Sequence, residues 1–183
     1  MLEYSLKEGF NRSRLPAFTK EEIMFMKGTA DFLGLNHYAT NLIRSAKPGE
    51  NMGVWFINGS PELNAILEKP PNSYYGASPI LPVYPEGLRR QLKWLHEEYN
   101  DIDILITENG FSTTGYKLDD YDRVRFIKEN LEQVLLSIKK DNVSVIGYTV
   151  WSLIDNFEWI DGYTTKFGVY EIDFEDPRRL RKA

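Results

Sequence analysis

Three short apolar runs that each close on polar residues, with helix-periodic stretches between them, constrain this chain more than any other feature. The runs are Ala30 to Tyr38, Asp101 to Glu108 and Ser144 to Trp151. Thr19, with Glu22 three residues on, forms a capping box before Ile23-Met24-Phe25-Met26, and Gly28 ends that helix. Pro85 opens a second helix as an N1 proline, with Leu88, Leu92, Leu95 and Tyr99 on one face. Asp119 is expected to cap a third, whose apolar positions are Val124, Ile127, Leu131, Leu135 and Ile138. Apolar strands joined by crossover helices mean a parallel sheet with right-handed connections, hence an α/β fold. A doubly wound sheet and a segment of a (β/α)8 barrel both satisfy this order. The turns after the strands read Tyr-Ala-Thr, Asn-Gly-Phe and Ser-Leu-Ile, with no Gly-rich phosphate loop, which disfavours nucleotide binding.

Two stretches fall outside the alternation. Residues 41–84 are rich in Pro, Gly, Asn and Ser without clear periodicity, and are expected to lack regular structure. Phe167 to Phe174 alternates apolar and polar residues and predicts an exposed short strand outside the main sheet.

Composition excludes several classes. The net charge is −5 and the only basic cluster is Arg178 to Lys182, so no cationic stripe is available for nucleic acid. No apolar run reaches the length of a membrane span, and Met1 to Ser5 lacks the features of a signal peptide. There are no cysteines and two histidines, His37 and His96, in segments of different type, so no metal site and no cofactor are expected. Three Asn-x-Ser sequons, at Asn11, Asn58 and Asn142, lean slightly towards a secreted parent protein.

The polar strand ends carry the chemistry. Asn36-His37-Tyr38, Thr107-Glu108-Asn109 and Trp151-Ser152 would cluster at the C-terminal edge of a parallel sheet, where barrel active sites lie. Alternation puts Asn36 and Tyr38 on one face and His37 on the other, so His37 reads as a packing residue. Ile104-Leu105-Ile106 leads directly to Glu108, whose carboxylate therefore emerges from a rigid strand. On this pattern alone Glu108 could equally pair with an arginine or cap a helix. Trp151 to Trp159 is too aromatic for a solvent loop and too polar for a core helix. Indole faces stack on sugar rings and carboxylates accept from hydroxyls; the alternative is a local aromatic cluster with Asp155 and Glu158 as surface charges.

Ile106-Thr107-Glu108-Asn109-Gly110 resembles the nucleophile motif of glycoside hydrolase family 1, the β-glucosidases and their lactase-like and myrosinase-like relatives. Trp151 to Trp159 resembles that family's sugar-binding motif, Asp31 to Tyr38 its sixth barrel strand, and Phe167-Gly168 with Asp173-Phe174 its closing segment. The resemblance implies one partial barrel domain over residues 1–183, containing strands six to eight of a (β/α)8 TIM barrel. It implies a retaining β-glycosidase of carbohydrate metabolism that acts on a β-glycoside through a covalent glycosyl-enzyme, with Glu108 as nucleophile. Tyr38 would hold that carboxylate, Asn36 would support it, Trp151 would stack under the sugar, Glu158 and Trp159 would bind its far hydroxyls, and Phe167 would line the pocket. Retaining chemistry also needs an acid about 5–5.5 Å from the nucleophile. The family keeps it in an Asn-Glu-Pro motif, which does not occur here. A full barrel takes about 250 residues, so the chain is expected to be a fragment, inactive without its N-terminal half. A klotho-like binding or receptor module, with a catalytic carboxylate lost, is the alternative.

Overall fold

The computed structural model describes residues 2–53, 59–60, 63–99, 102–115, 118–178 and the backbone of 181–182. The sequon asparagine Asn58 and Arg179 and Leu180 of the basic cluster lie outside the described residues. In chain order the elements are α1 (Leu2–Lys7), α2 (Lys20–Met26), β1 (Leu33–Asn36), β2 (Leu42–Ser45), β3 (Gly59–Ser60), β4 (Ala65–Glu68), α3 (Pro85–Glu98), β5 (Ile104–Asn109), α4 (Tyr121–Asp141), β6 (Val145–Val150), β7 (Glu171–Ile172) and β8 (Arg181–Lys182). They divide into two compact units, residues 1–31 with 41–69 and residues 32–40 with 70–183.

The larger unit is built on a parallel sheet in the order β1-β5-β6. Leu88, Leu92 and Leu95 recur along one face of α3 and pack with Leu35, Ile104, Ile106 and Val134 into a continuous core. Four of these residues, Leu88, Leu92, Ile104 and Ile106, are fully sealed from solvent. Pro85 opens α3 as expected, whereas Tyr99 at its end is exposed. Arg89 of α3 donates to Asp141 of α4 at 2.7 Å, tying the two helices at one end.

The third helix corrects the sequence reading twice. Its cap is Asp120, not Asp119, and the Asp120 side chain caps nothing; it pairs instead with Arg123 at 2.7 Å. The buried stripe is Arg123, Phe126, Asn130, Val134 and Ser137, while Val124, Leu131, Leu135 and Ile138 of the expected face are exposed. Ile127 alone of that face packs against a core cluster, that of Val83, Phe111 and Phe126. The buried polar positions satisfy themselves on the helix: Asn130 donates to the Phe126 carbonyl at 2.8 Å and Ser137 to the Val134 carbonyl at 2.7 Å. A ranking by hydrophobicity alone therefore selected the wrong side of a helix that is apolar on two.

The smaller unit holds α1, α2 and an antiparallel sheet in the order β2-β4-β3. The sheet corrects the expectation that residues 41–84 lack regular structure; its strands are too short to show periodicity and rest on ladder pairing. Thr19 and Glu22 form the predicted capping box on α2: Thr19 Oγ1 accepts from the Glu22 amide at 3.2 Å and Glu22 accepts from the Thr19 amide at 2.8 Å. The expected strand at 167–174 shortens to β7, paired with β8 outside the main sheet, and it is not exposed throughout, since Phe167 and Ile172 are buried. Among the described residues no helix is long and apolar enough to cross a membrane.

Candidate active site

β5 delivers Glu108 through a break in its own regularity. Strict alternation would place Glu108 on the face of Ile104 and Ile106, against the core. The registers of β5 with both neighbours shift over this stretch, which lets a strand end re-aim its side chains. Asn109 takes the buried position instead, fully enclosed, donating to the His37 carbonyl at 2.6 Å and accepting from the Tyr148 hydroxyl at 2.5 Å. The backbone is locked on either side: the His37 amide donates to the Glu108 carbonyl, and the Trp151 amide to the Asn109 carbonyl, both at 2.9 Å. Gly110 completes the turn, because a Cβ there would collide with the Trp151 carbonyl oxygen.

Glu108, thus fixed, opens into a cavity of about 480 Å³ lined also by Tyr38, Trp151, Glu158, Trp159 and Phe167. Tyr38 donates its hydroxyl to Glu108 Oε2 at 2.6 Å, a short charge-assisted bond. Its ring stands edge-on to Phe167, 5.7 Å between centroids. Burial, then the bond to Glu108 and the charges of Glu108 and Glu158, push the Tyr38 phenol well above its ordinary value, so it stays a donor. Trp151 donates its indole N–H to Glu158 Oε1 at 3.1 Å. Burial pushes the Glu158 carboxyl up, opposed by the bond from Trp151 and reinforced by the charge of Glu108. Trp159 is held at φ 47°, a left-handed conformation that costs an indole-bearing residue about 1–3 kcal/mol. A bond from the Glu158 amide to the Gly162 carbonyl at 2.7 Å closes the turn around it.

Six of the seven candidate residues thus share one cavity. Asn36 stands apart: it is exposed and accepts from Thr107 Oγ1 at 2.6 Å, with no bond to Glu108. His37 is buried on the opposite face, its Nδ1 2.8 Å from Gln91 Oε1, and burial lowers its pKa. The cavity also has a wall the sequence reading missed, Ser78 to Leu81, together with Ile160 and Asp161. The one local signal for it was an apolar pair held between Pro79 and Pro82 within an otherwise polar stretch. Asp155 is buried, which removes the reading of it as a surface charge. Among the described residues no group of His, Cys, Asp or Glu is arranged to hold a metal ion.

One cavity beside the parallel sheet is thus lined by a tyrosine-held carboxylate at the end of β5, by Trp151 just past β6 and by Trp159 on the loop beyond. The chain belongs to glycosyl hydrolase family 1, whose family model matches residues 3–183. It is 46% identical to Myrosinase 1 of Brevicoryne brassicae over 180 residues, covering 97% of this chain and 37% of that protein. With the human cytosolic beta-glucosidase it shares 38% identity over 180 residues, again 97% of this chain and 37% of the relative. The solved structure of aphid myrosinase superposes with a TM-score of 0.84 at 42% identity, covering 99% of this chain and 38% of that one. The chain therefore spans well under half the length of these relatives, which are glycoside hydrolases.

Proposed function

We propose that this chain is the nucleophile-bearing part of a retaining β-glycosidase, corresponding to strands six to eight of a TIM barrel. The bond from Tyr38 to Glu108 inside a cavity walled by Trp151, Trp159 and Phe167 is the observation that carries the reading. A Glu108 oxygen would form a bond to the anomeric carbon as the bond from that carbon to the leaving oxygen breaks, giving a covalent glycosyl-enzyme. The leaving oxygen takes its proton from a general acid. Water, giving a proton back to that same group, now a base, then attacks the anomeric carbon as its bond to Glu108 breaks, returning Glu108 as a carboxylate. Tyr38 would keep the attacking oxygen aimed, Trp151 would stack on the sugar, and Glu158 and Trp159 would bind its hydroxyls.

The acid is assigned to the N-terminal barrel half, since the family's Asn-Glu-Pro motif does not occur in residues 1–183. The isolated chain is accordingly expected not to turn over an aryl β-glucoside. Retention of Glu108 with the whole Trp151 to Trp159 pattern, and relatives named as a myrosinase and a beta-glucosidase, favour an enzyme part over a non-catalytic receptor module. Mechanism-based labelling with a 2-fluoro glucoside carrying an activated leaving group, with and without the N-terminal half, tests the assignment. Mass spectrometry is expected to find the sugar on the peptide containing Glu108. Label on any other residue refutes it.

A further inference from the structure

Outside the cavity, a group of buried charges joins α4 to the segment that follows β6. Arg123, Asp155 and Lys166 have side chains only 7, 2 and 10% exposed. Lys166 lies 3.6 Å from Asp155 and 2.9 Å from Glu171. Asp155 uses both oxygens on backbone amides, accepting from Gly168 at 2.9 Å and Ile172 at 3.0 Å. Arg123 pairs with Asp120, donates to Thr113 Oγ1 at 3.1 Å and bonds the Gly168 carbonyl. Gly168 itself admits no side chain, because a Cβ would collide with the Asp155 backbone.

Energetics do not explain such a group as a stability device. Burying charges costs several kcal/mol per ion, and apolar replacements of equal volume are often as stable. What charges supply is a directional fit, and the placement of these shows what is being directed. Asp155 and Lys166 are the two ends of one loop, and between them lie Glu158, Trp159 and Asp161, which line the Glu108 cavity. Phe167, the next residue, lines it too. The loop's tip is open to solvent, with Trp159 82% and Ile160 96% exposed, and is touched by the bond from Trp151 to Glu158 and the ring contact of Tyr163 with Phe174. The buried charges lie at its stem, where the loop leaves and rejoins the body of the unit.

We propose that Arg123, Asp155 and Lys166 are positioning residues, a buried ionic clamp that fixes the loop 155–166 and thereby aims Glu158, Trp159 and Phe167 at the Glu108 cavity. Its functional meaning rests on the sugar-site reading above. Burial lowers the Arg123 guanidinium below its ordinary value, and the charges of Asp120 and Asp155 oppose that only in part.

Two measurements on the 183-residue chain separate the clamp from that reading. The first is amide hydrogen exchange by mass spectrometry in Lys166→Met, Asp155→Asn and Lys166→Arg. The first two variants are expected to speed exchange over residues 156–168 about tenfold or more, with β5 and α3 unchanged; Lys166→Arg, which keeps the cation, is expected to restore native rates. The second is titration with 1-deoxynojirimycin, followed by tryptophan fluorescence. Lys166→Met is expected to weaken binding about tenfold, and Lys166→Arg to recover most of it. Unchanged exchange in both neutral variants overturns the clamp, as does acceleration spread evenly through β5 and α3, the sign of a purely structural role. Local acceleration with undiminished iminosugar affinity overturns the positioning role. If the unsubstituted chain binds no iminosugar, the sugar-site reading fails and takes the clamp's functional meaning with it, whatever the exchange rates.

Discussion

In the unit that carries Glu108, Leu88, Leu92, Ile104 and Ile106 are sealed from solvent; in the unit of residues 1–31 and 41–69, α2 leaves Ile23, Met24, Phe25 and Met26 all exposed. The smaller unit's sheet rests on its ladder and carries ion pairs at its surface. Arg44 donates to Glu68 at 2.6 Å and to both oxygens of Glu50, at 2.8 and 2.7 Å, bridging β2, β4 and the turn that follows β2. Apolar closure gives one unit a core rigid enough to hold a carboxylate within hydrogen-bond distance of a tyrosine just past the end of β1. Solvent-exposed pairs set local geometry and contribute little to stability. The contrast explains why every residue lining the Glu108 cavity belongs to the larger unit.

The contrast breaks most visibly in the core. Leu92→Ala is expected to cost about 2–5 kcal/mol, since a fully enclosed site cannot collapse around the void; urea unfolding followed by circular dichroism measures it. Asn109→Ala comes next. It leaves the Tyr148 hydroxyl and the His37 carbonyl without a partner, a loss of about 1–3 kcal/mol by the same assay. It should also slacken the Tyr38 to Glu108 geometry, read as weaker iminosugar binding.

The smallest effect belongs to the surface ions. The bonds from Arg44, then that from the Lys47 amide, hold Glu50 down to about 2 against an ordinary 4.5. A depressed carboxylate stabilises fully above its unfolded value, so Glu50's contribution is present above pH 4.5 and is lost as pH falls towards 2. Glu50→Gln should therefore leave the unfolding midpoint at pH 7 nearly unchanged, and accelerate amide exchange over residues 42–68 only. A midpoint drop as large as that of Leu92→Ala would erase the distinction between the units.

Much of the larger unit was legible because its signals are local. Pro85 with leucines on one helical face defines α3, and three apolar residues before Glu108 define β5, without reference to anything distant. The face of α4 was not legible, because Val124, Leu131 and Leu135 are as apolar as Phe126 and Val134, and only the packed neighbours choose between the stripes. Nor was β2-β4-β3, since strands of two to four residues show no period.

By itself, then, the sequence determined the strand-helix alternation, the capping box and the emergence of Glu108 from a strand, all of which depend on residues within a turn or two of one another. Tertiary structure alone decided that Asn109 turns inward, and it set Glu108 against Tyr38, 70 positions away, a pairing the residues implied only through the family resemblance. It also brought Arg123 of α4 together with Asp155 and Lys166 at the two ends of one loop. Which partner a polar group finds is a property of distance in space, and chain order leaves that distance open until the apolar core has closed.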